Sequence, residues 1–87
     1  MQLDPNSTDA QKYLSIAYYN NNELDLAERN LILVLKKNTK DYFINLYLYK
    51  VYSKKNDKRK ACYHYNMALQ NGMPKPEVKD QDYIQCE

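Results

Sequence analysis

Apolar residues recur at steps of three and four through most of this chain, which is how a helix with one buried stripe is written. Ala10, Tyr13, Leu14, Ala17 and Tyr18 predict a helix over about 10–19 with that stripe inward. Thr8 and Gln11 ahead of it have the spacing of a capping box. Asn20-Asn21-Asn22 ends it, because short amides suit turns better than helix interiors. Leu24, Ala27, Leu31, Val34 and Leu35 predict a second helix over 24–37, closed by Lys36 and Lys37, whose charges offset the helix dipole. A third is predicted over 42–54 and a fourth over 57–71, where Asn71-Gly72 and then Pro74 form a stop. Read locally, Asn45 to Tyr52 alternates and is rich in strand formers. Beyond the stop, Pro76 to Gln85 forms either a short capping helix or a flexible tail.

A longer period settles the ambiguous stretch. Shifted by 34 residues, Leu14 falls on Leu48, Ala17 on Val51, Tyr18 on Tyr52, Asn22 on Asn56, Ala27 on Ala61 and Leu35 on Leu69. A lone strand among helices would have no partner, so the echo makes 42–54 helical. A period near 34 is that of a stacked helix–turn–helix unit. The expected fold is all-α, an α-α superhelix of about four antiparallel helices.

Composition narrows the function classes. Eighty-seven residues make at most one domain, near the lower size limit for a self-sufficient core. One Gly and three Pro suit long helices more than sheets. A net charge of +2 is too small to imply nucleic acid or an acidic membrane. No run of 18 apolar residues occurs, and Met1-Gln2-Leu3-Asp4-Pro5 lacks a secretory pattern, so a cytoplasmic or nuclear protein with no membrane partner is expected. On that view Cys62 and Cys86 are expected to be reduced thiols. No phosphate loop, inward carboxylate pair or nucleophile–base pattern is present, so neither an enzyme nor a cofactor or metal is expected. Cys62 and His64, two apart on a helix, point away from each other and cannot share a metal; His64 is expected to be an exposed helix residue.

The residues resemble the tetratricopeptide repeat. Leu14-Ser15 with Tyr18 stands where that family has a Leu, a small residue and an aromatic in its first helix. Ala61, Tyr65, Ala68 and Leu69, and Ala27, Leu31, Val34 and Leu35, match its second helix. The likeness covers about 3–74. It divides 1–74 into two repeats, about 8–41 and 42–74, with the tail of a preceding repeat at 1–7 that contains Pro5; 75–87 is the capping helix or tail. Thr39 and Met73 replace the inter-repeat Pro. Tyr49 stands where the family keeps a small residue and Lys58 where Leu24 stood, which predicts a splayed or terminal second repeat. The chain reads as a fragment of a longer solenoid, or as a short protein whose neighbour comes from another chain.

The resemblance implies a scaffold, adaptor or co-chaperone-like interaction module whose first helices line a concave groove. By periodicity Lys12, Ile16, Tyr19, Phe43, Leu46, Tyr47 and Lys50 face it, with Asp9, Asn20 and Ser53 alongside, so that apolar and aromatic anchors for a protein or peptide sit between lysines. Lys12 suits the carboxylate clamp that some relatives use on chaperone C-termini. Ile16 and Tyr47 stand where its Asn residues would be needed, and an apolar Ile cannot hydrogen-bond a carboxylate. Two alternatives remain open. One is self-association into a homodimer through the Tyr-rich face of Phe43 to Tyr52. The weaker is a nucleic-acid binder that uses the basic cluster Lys54, Lys55, Lys58, Arg59 and Lys60, which a solvated turn also explains.

Overall fold

The computed structural model describes residues 8–37, 41–73 and 86. Four helices follow one another: α1 (Thr8–Asn20), α2 (Leu24–Lys37), α3 (Tyr42–Lys54) and α4 (Lys58–Gln70), with no strand among the described residues. The alternating stretch 45–52 is therefore helical, and α2 and α3 keep their expected bounds. The readings for 1–7 and 74–85, including the preceding-repeat tail and most of the C-terminal segment, lie outside the described residues.

The 34-residue echo extends to backbone detail. Asn22 and Asn56 both turn left-handed, at φ 61° and 62°, a conformation that asparagine tolerates better than most residues. Each turn is closed in the same way, by Glu23 N–H on the Tyr18 carbonyl at 2.8 Å and by Asp57 N–H on the Tyr52 carbonyl at 2.9 Å. The starts of α3 and α4 are capped by Asp41, which accepts from Phe43 N–H at 2.9 Å, and Asp57, which accepts from Lys60 N–H at 3.2 Å.

Helices pair as hairpins, α1 with α2 and α3 with α4, and α2 packs on α3; α1 and α4 do not meet. One core runs through the stack: Ala27, Leu31 and Val34 from α2, Ile44, Leu48, Tyr49, Val51 and Tyr52 from α3, Ala61, Tyr65 and Ala68 from α4. Tyr49 does not splay the second hairpin. It is buried with its ring 5.0 Å from that of Tyr65, so two aromatics fill the space that a small residue would have closed.

Each hairpin also holds a polar contact at its crossing. In the first, Asn30 Nδ2 donates to the Gln11 carbonyl at 2.9 Å and to Ser15 Oγ at 3.0 Å. In the second, His64 Nδ1 and Asn45 Oδ1 are hydrogen-bonded at 2.8 Å. These are equivalent positions under the shift. The other amide atoms, Gln11 Oε1 and Asn45 Nδ2, are buried without a partner among the described residues.

The stripe expected inside α1 is largely outside. Tyr13 is 64% and Leu14 45% exposed, and Ala17 is also exposed, while Ser15 and Tyr19 are buried. The cause lies in which helix has a neighbour. Leu48, the counterpart of Leu14, is fully buried one turn before Tyr52. Tyr52 donates its hydroxyl to Glu28 of α2 at 2.9 Å, so α2 covers that side of α3. Nothing among the described residues covers the same side of α1.

Candidate functional site

The first helices of the two hairpins share a face built of stacked rings and lysines. Phe43 and Tyr47, one turn apart on α3, have ring centroids 4.9 Å apart, and Tyr47 meets Tyr19 of α1 edge-on at 5.5 Å. Ammonium groups lie over each ring: Lys12 over Phe43 at 5.0 Å, Lys50 over Tyr47 at 4.6 Å and Lys54 over Tyr19 at 4.5 Å. Each such contact contributes about 0.5–1 kcal/mol at exposed sites. Beside this ladder Asp9, Lys12, Tyr13, Ile16, Asp41, Tyr42 and Phe43 line an open cavity of about 380 Å³.

Asp41 has two roles in holding that cavity open. One carboxylate oxygen caps α3, and the other receives Lys12 Nζ at 2.8 Å. The pair ties α1 to the start of α3 and fixes the spacing of the two walls. Lys12 is thereby engaged by this chain's own carboxylate.

Of the expected groove residues, Lys12, Ile16 and Phe43 come together at the cavity, and Tyr47 and Lys50 continue the ladder. Leu46 is half-buried against the core. Tyr19 is only 6% exposed, so it supports Tyr47 from behind.

The basic cluster divides by task. Lys54 and Lys60 lie over Tyr19 and Tyr52, and Lys58 and Arg59 are exposed. Lys55 bridges Asp25 and Glu28 of α2 and so ties the two hairpins together. The Lys55 hydrogen bond holds the Asp25 carboxyl below its usual range, and the same pairing, followed by that with Glu28, raises Lys55. Burial pushes Glu28 up, but hydrogen bonds from Lys55 and Tyr52 outweigh it and the net shift is down. Tyr52 is raised, first by burial and then by its bond to Glu28.

Two further expectations are corrected. His64 is not an exposed helix residue: it bonds Asn45, stacks on Tyr52 at 5.6 Å and 21°, and burial lowers its pKa. It faces α3 because it holds the place of Asn30. Cys62 and Cys86 are joined in a disulfide, with Cα atoms 5.4 Å apart, instead of standing as separate thiols. The shift by 34 carries Glu28 onto Cys62 and Tyr52 onto Cys86, so the disulfide repeats the Tyr52–Glu28 contact one unit further on. That correspondence was present in the sequence. The chain's acidic, Cys and His residues form no group able to hold a metal among the described residues, and no helix there is long and apolar enough to cross a membrane. Comparisons with protein-family models, curated proteins and solved structures find no match for this chain.

Proposed function

We propose that the chain is a non-enzymatic protein–protein interaction module of two tetratricopeptide-like repeats stacked as a short solenoid, which holds a segment of a partner on the α1–α3 face. The observation that carries this reading is the ring-and-lysine ladder beside the 380 Å³ cavity. Rings bury large area at low entropic cost, and a cavity takes an anchor side chain. The cavity suits one apolar side chain. The ammonium groups around the rings favour a partner segment with carboxylates flanking that anchor. Because Asp41 and Lys12 brace the walls, little ordering is left to be done on binding, which favours affinity. A scaffold or adaptor role follows: the partner is held and undergoes no reaction.

The test is a displayed-peptide selection on the intact chain, repeated with Phe43→Ala and Tyr47→Ala. Both variants are expected to bind the selected peptides at least about tenfold more weakly, a loss of about 1.4 kcal/mol, with unchanged helical circular dichroism. Melting of either variant would show the rings to be core, and the groove reading would fail.

A further inference from the structure

Two surfaces related by the 34-residue shift have different fates. On α3 the stripe Ile44, Leu48 and Val51 is fully buried, and α2 packs on that helix. On α1 the matching stripe of Ala10, Leu14 and Ala17, with Tyr13 beside it, is largely bare. We propose that this bare face of α1 is a second docking site, distinct from the α1–α3 groove, for an amphipathic helix of another polypeptide that presents what α2 presents to α3.

Within the molecule the helix that packs on α3 is α2. Leu24, Ala27, Leu31 and Leu35 recur along α2 at helical steps, and Glu28 meets the Tyr52 hydroxyl. Tyr18 stands on α1 where Tyr52 stands on α3. The incoming helix therefore carries an apolar stripe with a carboxylate placed as Glu28 is, to meet the Tyr18 hydroxyl. Asn21 replaces Lys55, so a second carboxylate, like Asp25, has no ammonium ion to meet and is not required.

A second copy of this chain is a poorer occupant. Its α2 already lies on its own α3. Its α4 carries Cys62 where the carboxylate is needed, and that residue is bonded to Cys86. Two α1 faces meeting about a two-fold axis offer too little. A helix of 13 residues is about 20 Å long and 10 Å across. Its footprint is on the order of 200 Å², against about 800 Å² per partner in stable dimers. A separate partner held by a single helix need not reach the area of a stable dimer, so that figure does not bound it.

The probe is a capped synthetic peptide with the sequence of residues 23–37, labelled and titrated by fluorescence anisotropy against the oxidised full chain. Saturable binding is expected, weakened at least tenfold by Leu14→Glu and unaffected by Phe43→Ala, which separates this site from the groove. Leu14 is half-exposed, so the variant should keep its helicity; if it does not, Ala17→Arg replaces it and must show the same loss. Binding undiminished by either change would mean exchange with the chain's own α2 and overturns the proposal. So does the absence of saturable binding. A dimer in sedimentation that Leu14→Glu dissolves, with no peptide binding, overturns it in favour of a second copy.

Discussion

Leu14 and Leu48 are related by the 34-residue shift, yet one is 45% exposed and the other sealed. Truncating each to Ala measures what the cover is worth. At Leu48 the change deletes three buried carbons, about 2.4 kcal/mol at about 0.8 per methylene. The cavity left in the core adds to that, within the usual span of about 2–5 kcal/mol. At Leu14 roughly half the transfer is lost and no closed cavity forms, and Ala's better helix propensity returns a few tenths. The expected cost there is about 0.5–1 kcal/mol. For a domain of this size a kilocalorie corresponds to roughly 4–8 °C, so the two variants should melt roughly 10–20 °C apart. Thermal melts at 222 nm and urea midpoints with unchanged slope provide the measurement. Equal destabilisation, within about 0.5 kcal/mol, would mean that α1 is covered as α3 is, and the asymmetry argued above would be gone.

Ala27 and Ala61 are fully buried in their hairpins, so Ala27→Leu and Ala61→Leu should each overpack and destabilise by about 1–3 kcal/mol; wild-type midpoints in urea would contradict this. Dithiothreitol should lower the melting temperature, because the Cys62–Cys86 bond closes a loop with a sequence separation of 24, worth about 3 kcal/mol; a melt indifferent to reductant would refute it. For His64 the folded pKa lies below the ordinary 6.5 because burial disfavours the charged ring, with Lys60 opposing protonation and Glu28 favouring it. Its contribution to stability is therefore complete above that value and is lost as pH falls through the folded pKa. Glu28, also depressed, loses its contribution as pH falls below 4.5. Urea midpoints should thus decline in two steps on acidification, the first removed by His64→Gln; a flat profile down to about pH 5 would sink the assignment.

The helices were legible because recurrence, turn residues and duplication agreed. Lys36 and Lys37 marked the end of α2, and the echo of α1 overrode the strand-like look of 45–52. Correspondence between repeats, however, says which residues are equivalent and nothing about which have a neighbour. That is why the apolar pattern puts Leu14 and Tyr13 inside while the structure exposes them. The burial of Ser15 and His64 is hidden for another reason: a polar residue facing a partner helix carries no hydrophobic signal, although the shift aligns His64 with Asn30. The groove ladder was visible as spacing in Phe43 and Tyr47. The bracing of Lys12 by Asp41 was not, since a pair 29 residues apart leaves no local mark.

The polar contacts at the hairpin crossings have an effect on alignment. Leu, Ala and Tyr surfaces tolerate a slide of one helix along the other by a turn, about 5.4 Å, with only modest loss of contact. Such a slide would strip Asn30 and His64 of their hydrogen-bond partners at part-buried crossings, at up to about 1–3 kcal/mol for each orphaned group. Gln11 and Asn45 already bury one unsatisfied atom apiece, so these amides look wasteful as glue but serve well as detents. Each hairpin is allowed a single notch, and the angle at which it offers its rings to a visitor is set there.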